Sequence, residues 1–382
     1  MRKLFAKIHL WLSIPFGIII AIVCLTGAIL VFETEILEVC YPSRYFVKEV
    51  KGEPLTPAAL LSSARRQLPD SIQINGIRVS QDPKRTWQVV LPGKKAAAFI
   101  NPYTAEITGI DDGQGFFMQT MRLHRWLLDS YKRDGSFSLG KAVVGYATLV
   151  MAIILISGLV IWYPRNKKVL KNRLKIKTQS GWYRFFYDLH VSGGFYATLL
   201  LLILTLTGLT WSFGWYRDAF YTVFGVETTQ PQAHAPAPSD SKGKSKERGK
   251  GGHSSEREKK NRAETDYTQW ATVLADLQSR YPKYNSITIQ DGSATVSAAQ
   301  YGNTRGSDRY TFDPANGKIT DVQLYKDLPK SGKIRGWIYS VHVGSWGGMT
   351  TRILSCLVSF LGAVFALTGY YFWIKKKLRK KK

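Results

Sequence analysis

Four histidines carry the chemistry that this 382-residue sequence offers. His9 and His190 each stand 17 residues before the threonine of a Leu-Thr-Gly triplet, Thr26 and Thr207, near the start of long apolar stretches. His124 and His342 precede two further apolar stretches. An imidazole is costly against hydrocarbon, so its presence at the mouth of a membrane helix asks for a partner. Neutral imidazole is the usual axial ligand of haem iron, and a shared iron needs ligands converging from different helices. Non-haem metals prefer added Cys, Asp or Glu ligands, whereas the apolar stretches hold no carboxylate, so two isolated histidine pairs suit haem better. Two histidines on one iron fill both axial positions, which favours electron transfer over oxygen binding. The remaining two, His234 and His253, lie in a polar stretch and are read as solvated.

The elements that must position these residues are written in the charge pattern. Leu10 to Phe32, Ala142 to Tyr163, Val191 to Tyr216 and Ile353 to Ile374 contain no Asp, Glu, Lys, Arg or His. Each is long enough to cross a bilayer, which takes about 20 residues of helix, and helix is the form that satisfies backbone groups in lipid. The formal net charge of +26 would suit nucleic acid, but most of it collects beside these stretches and in one linker, so no nucleic-acid partner is expected. Arg2, Lys3 and Lys7, the loop RNKKVLKNRLKIK (165–177) and the tail KKKLRKKK (375–382) mark three cytoplasmic regions by the positive-inside rule. Both termini are then cytoplasmic and the two long connections face outward. The first stretch is too long and lacks the small-residue site of a cleaved signal peptide. Cys24 and Cys356 lie within spans and Cys40 outside, so no internal disulfide is expected, and no C-x-x-C-H haem attachment motif occurs.

The chain is internally duplicated. IHLWLSIPFGIIIAIVCLTGAILVF (8–32) matches LHVSGGFYATLLLLILTLTGLTWSF (189–213) at a constant offset of 181, and ISGLVIWYPR (156–165) matches LTGYYFWIKK (367–376). The outward regions repeat as well: a helical pattern at 56–69 and 267–282, alternating strands, then hairpins at Asn101-Pro102 and Asp313-Pro314. The expected division is spans within 1–32, 139–164, 187–216 and 351–375, outward α+β domains at 33–138 and 217–350, a basic loop at 165–186 and a basic tail at 376–382. Residues 227–265, rich in Pro, Ser, Gly and charge, read as a disordered insertion. His9 and His190 thus fall at the inner face and His124 and His342 at the outer face, with His124 on a helix of its own. Glycines beside the ligands, Gly17, Gly27, Gly193, Gly194 and Gly208, with Gly145, Gly158, Gly362 and Gly369 on the other two spans, would admit a flat macrocycle or a neighbouring helix. Lys7, Arg184, Arg122, Arg125 and Arg352 lie close enough in sequence to be candidate partners of haem propionates, and most tryptophans near the boundaries read as an aromatic belt.

The combination of KIHLWLSIPFG with LTGAI, RLHRWLL followed by SGLVIWYPR, DLHVSGGFY with LTGLT, and HVGSWGG followed by LTGYYFWIKK resembles the PepSY-associated transmembrane family of bacterial inner-membrane proteins, which includes siderophore reductases. The hairpins NPYTAEITG and DPANGKITD are similar to those of PepSY modules. The resemblance implies a membrane four-helix bundle, all-α, with two small α+β periplasmic PepSY-like domains. It implies two haem b groups held by His9, His190, His124 and His342, and reduction of a periplasmic ferric siderophore with electrons from quinol or a cytoplasmic reductase. Membrane lipid is the other expected partner, with a homodimer left open. The competing reading is a membrane-anchored PepSY module that binds or inhibits a periplasmic protease; an anchor has no need of paired histidines. A transporter is disfavoured because no apolar stretch carries a charge or a broken centre.

Overall fold

The computed structural model describes residues 1–93, 95–129, 137–164, 166–226, 267–298 and 302–379. The 227–265 insertion, with His234 and His253, and the last three residues of the tail lie outside the described residues. α1 (Arg2–Val31) is followed by the short helices α2 (Glu33–Cys40) and α3 (Pro42–Tyr45) and by α4 (Pro57–Gln67). Strands β1 (Gly76–Ser80), β2 (Trp87–Val90), β3 (Ala97–Ile100) and β4 (Ile107–Asp111) come next, then α5 (Phe116–Trp126) and the long α6 (Leu139–Trp162). After α7 (Lys167–Arg173), the segments α8 (Trp182–Asp188), a π turn (Leu189–Gly193) and α9 (Gly194–Ser212) run on as one span. The second half continues with α10 (Gly214–Val223), α11 (Trp270–Arg280), β5 (Ser286–Gln290), β6 (Ser293–Ser297), β7 (Asp308–Phe312), β8 (Ile319–Gln323), α12 (Lys330–His342) and α13 (Gly348–Arg379).

Among the described residues four helical segments are long and apolar enough to cross a membrane: Arg2–Val31, Leu139–Trp162, Trp182–Ser212 and Ser345–Arg379. The first and last run past the charge-free stretches into their basic flanks, because a helix need not end where hydrocarbon ends and Lys and Arg can reach the interface. α1 packs against α6 and α13, and α9 closes the bundle between those two. Small residues let the helices approach: Ala21, Ala147 and Ala363 are buried with Ile20 and Cys24, and a Cβ on Gly362 would sit 2.9 Å from the Cys24 sulfur.

The two outward regions were expected as separate α+β modules, and the structure joins them into one sheet. Its order is β4-β3-β2-β1-β5-β6-β7-β8, antiparallel throughout, with β1 against β5 from Gly76↔Gln290 to Ser80↔Ser286. Each four-stranded half would otherwise expose an unpaired edge strand, and pairing the two edges satisfies both. One hydrophobic core serves both halves. α4, capped by Thr56, whose Oγ1 accepts from the Ala59 amide at 3.3 Å, contributes Leu60 and Leu61; α11 contributes Trp270, Val273 and Leu277. These pack on Ile77, Val79, Val89, Ile287 and Ile289, all at 0 % exposure. The duplication extends to detail: both outer hairpins carry a register shift, at Phe99/Ile100 and at Thr311/Phe312. Both turn on a side chain accepting a backbone N–H two residues on, Asn101 from Tyr103 and Asp313 from Ala315.

Candidate functional site

The structure brings His9 beside His190 and His124 beside His342. The ring centres are 6.4 Å apart in the first pair and 6.3 Å in the second, with the planes inclined by 79° and 54°. His9 rides on α1 and His190 on the π turn, a local widening that recurs at functional sites. His124 and His342 occupy the last turns of α5 and α12, so both, and not His124 alone, reach the bundle from short helices outside the spans.

Each imidazole is fixed through Nδ1 by a hydroxyl residue on a spanning helix of its own repeat. His9 Nδ1 lies 3.1 Å from both the Ile154 carbonyl oxygen and Ser157 Oγ. His124 Nδ1 lies 3.0 Å from the Val23 carbonyl and 3.1 Å from Thr26 Oγ1, and His342 Nδ1 lies 3.0 Å from the Leu204 carbonyl and 3.1 Å from Thr207 Oγ1. His190 Nδ1 is 2.9 Å from Thr368 Oγ1. A carbonyl only accepts, and each hydroxyl already donates its proton to a carbonyl of its own helix: Thr26 to Ile22 at 2.6 Å, Ser157 to Ile154 at 2.8 Å, Thr207 to Ile203 at 2.7 Å and Thr368 to Val364 at 2.9 Å. The hydrogen-bond network therefore assigns the proton to Nδ1 in all four rings and leaves the Nε2 lone pair for another partner. Metal-ligating histidines carry this kind of outer hydrogen bond, which sets the tautomer and raises ligand basicity.

A glycine follows every one of those hydroxyl residues, and the histidine rests on it. A Cβ would come 3.1 Å from His124 Cε1 at Gly27, 3.1 Å from His342 Cε1 at Gly208 and 3.3 Å from His9 Cε1 at Gly158; at Gly369 the distance to His190 Cε1 is 3.8 Å. Desolvation, with Arg125 close by, pushes His124 down to about 4, and desolvation beside His124 does the same for His342. Both imidazoles are thus neutral and able to act as ligands at neutral pH.

The spacing fits one metal between each pair. An imidazole nitrogen binds a metal at about 2.0–2.1 Å and lies about 1.1 Å from its ring centre, so two rings facing each other through one iron have centres about 6.3 Å apart. Among the described residues no three of His, Cys, Asp and Glu converge as a metal cluster, so a metal held between two of these imidazoles would need its other ligands from a bound cofactor. Around His9 and His190 a cavity of about 570 Å³ runs between the helices, bordered by Gly17, Gly158, Gly194 and Gly369, with Arg173, Arg184 and Asp188 at its polar end. That size suits a cofactor. Around His9 and His190 the residues present fit haem.

The cations expected near the histidines have varied places. Arg184 borders the His9–His190 cavity and pairs with the buried Asp188 at 3.0 Å. Lys7 is exposed on α1. Arg122 donates to Gln119 Oε1 at 3.2 Å, and Arg125 stacks on Trp126 at 4.5 Å. Arg352 is engaged elsewhere: it donates to the Glu35 carboxylate at 2.7 Å and to the Val31 carbonyl at 2.5 Å, tying α13 to α1 and α2. Of the boundary tryptophans, Trp11 and Trp215 are exposed as an aromatic belt would be, whereas Trp126 and Trp162 are buried and Trp211 meets His342 edge-on at 5.1 Å. Reasoning from sequence missed Ser157, Thr26, Thr207 and Thr368 as anchors. The signal was present in four copies, Leu-Thr-Gly three times and Ile-Ser-Gly once.

Fold and site together define a duplicated four-span membrane protein with a joined extramembrane sheet and a histidine pair near each end of the bundle. The chain belongs to the family described as the PepSY-associated TM region, whose model matches residues 6–376. A comparison with curated proteins finds no match.

Proposed function

We propose that this chain is a di-haem electron-transfer protein of the bacterial inner membrane that reduces a periplasmic ferric siderophore, Fe(III) to Fe(II), with electrons from the cytoplasmic side. One observation supports the reading above all others: two imidazole pairs share the spacing that a single iron needs, and every ring is tied through Nδ1. Haem b, when bound, supplies a one-electron Fe(III)/Fe(II) couple. The chain's part is to offer Nε2 of His9 and His190 at one site and of His124 and His342 at the other. Ser157, Thr26, Thr207 and Thr368 orient the rings, the adjoining glycines leave room, and apolar helices exclude water. The basic flanks of the spans support a cytoplasmic His9–His190 end and a periplasmic sheet. Ferric siderophores hold iron with hard oxygen ligands, and the larger, less acidic Fe(II) is held less tightly, so one electron suffices to loosen the metal.

The test is a reduced-minus-oxidised optical spectrum of the purified protein with haem quantified per chain. Two haems per chain are expected. Protein made with ample haem supply that carries none would overturn the proposal and return the membrane-anchored PepSY module as the better reading.

A further inference from the structure

Joining the two repeats creates a groove that neither possesses alone. On the sheet face opposite α4 and α11, a cavity of about 550 Å³ lies over the β1–β5 seam. Strand alternation explains its lining: Ile77, Val79, Ile287 and Ile289 turn into the core, so Arg78, Ser80 and Ser286 turn the other way. The cross-strand row Gln88–Arg78–Thr288 is set by register, Arg78 pairing with Gln88 on one side and Thr288 on the other. All the residues bordering the groove are polar or phenolic, including Asn285 from the second repeat and Tyr45 from the segment that leads out of α1.

Two guanidinium groups border it, and they differ. Arg85 is neutralised by Glu38 at 2.8 Å and Asp82 at 3.7 Å. Arg78 donates Nε to Thr288 Oγ1 at 3.2 Å and Nη1 to Gln88 Oε1 at 3.1 Å, both neutral acceptors. Among the described residues Arg78 has no carboxylate in ion-pair reach and its Nη2 has no acceptor. A guanidinium pinned by two neutral groups keeps its full charge and offers a planar N–H edge, whose geometry matches a carboxylate. The groove is far larger than a bare ion and within the range of small-molecule sites. Its remaining walls carry amides and hydroxyls suited to further oxygens, and the one carboxylate among them, Asp82, is paired with Arg85 at 3.7 Å.

We infer that this groove binds a small, oxygen-rich molecule bearing a carboxylate, gripped by Arg78 at the seam of the two repeats. The site owes nothing to the histidine pairs and stands whether or not the chain carries haem.

Titration calorimetry of the full-length protein in detergent, with citrate, ferric citrate and inorganic phosphate as probes, tests it. Saturable binding of citrate or its ferric chelate is expected, one site per chain, weakened at least tenfold by Arg78→Gln. Arg309→Gln changes an exposed arginine on the same cross-strand row outside the groove, and should bind like the unaltered protein. Ser286→Tyr, which fills the groove without touching the bonds of Arg78, should also lose binding and serves if Arg78→Gln does not fold. Absence of saturable binding, unchanged binding in both groove variants, or phosphate binding as tightly as citrate overturns the inference. Haem content, read from the same samples, separates this outcome from the fate of the electron-transfer proposal.

Discussion

At the basic end of the bundle His9 and His190 belong to the spans themselves, whereas at the sheet end His124 and His342 arrive on the last turns of short helices. The inner pair borders a cavity with Arg173, Arg184 and Asp188; the outer pair is flanked by Trp211 at 5.1 Å from His342 and by Arg125. Yet the spacing is the same, 6.4 against 6.3 Å, and so is the anchoring, a hydroxyl residue followed by glycine. The duplication therefore preserves the receptor for each imidazole more strictly than the element that delivers it. Anchoring is local to a repeat, His9 to Ser157 and His124 to Thr26, His190 to Thr368 and His342 to Thr207. Pairing is between repeats. Each half thus fixes its own histidines, and neither half completes a pair alone.

On the proposed haem reading, the largest effect that could break this comparison is loss of a ligand. His9→Ala and His190→Ala should each abolish one and the same haem, halving haem per chain, and His124→Ala and His342→Ala should abolish the other. Difference spectra of the four variants decide the matter, and loss in any other pairing would refute the assignment.

Removing an anchor while keeping the ligand should be the next most severe change. Thr26→Val and Thr207→Val delete one of the two oxygens that accept from Nδ1 at nearly constant volume and leave the Val23 or Leu204 carbonyl at 3.0 Å, so the loss should fall at the lower end of the about 10–100-fold in affinity that outer hydrogen bonds of this kind are worth. Haem titration of stripped protein should show that loss at the outer site, with a shifted midpoint potential there, and leave the inner site unchanged. Equal effects at both ends would mean that the two sites are not independent.

The glycines grade the comparison more finely. A methyl at Gly27 or Gly208 would meet an imidazole at 3.1 Å, tighter than ordinary contact, whereas at Gly369 the distance of 3.8 Å is ordinary. Gly27→Ala and Gly208→Ala should lower outer haem occupancy, and Gly369→Ala should leave the inner occupancy near that of the unaltered protein.

The extramembrane seam should respond separately. At Gly76 a Cβ would strike the Ile289 carbonyl oxygen across the β1–β5 junction, so Gly76→Ala should lower stability by about 1–3 kcal/mol. Thermal melting reads this, with haem content unchanged if sheet and bundle are energetically distinct.

The smallest effect concerns the clamp between Arg352 and Glu35. The Arg352 guanidinium holds the Glu35 carboxyl below the usual carboxylate range. The clamp therefore stabilises at neutral pH, where the unfolded carboxylate is also ionised, and its contribution falls away as acid drives pH down through the lowered folded value. Both side chains are partly exposed, at 35 % for Glu35 and 21 % for Arg352, so the contribution is about 1 kcal/mol or less. Glu35→Gln should remove that part of the acid dependence of melting.

Much of this architecture was legible because membrane helices and hairpins are encoded locally. Runs such as Leu10 to Phe32 have no alternative to helix in lipid, and Asn101-Pro102 and Asp313-Pro314 do mark the hairpin turns. The pairing of His9 with His190 follows from where the duplication puts them. The anchors were harder, since a threonine inside an apolar helix bonds its own carbonyl whether or not a histidine arrives, and nothing in Leu-Thr-Gly alone announces the visitor.

By itself the sequence determined the four spans, the duplication, the strand patterns and the four histidines, because each rests on residues close together in the chain. Only the tertiary structure decided that β1 pairs with β5, that His342 as well as His124 comes from a short helix, and which hydroxyl holds which ring. Those contacts join residues from 98 to 214 positions apart, as between Thr26 and His124 or Gly76 and Gln290. They depend on shape and register between elements, which no local pattern specifies.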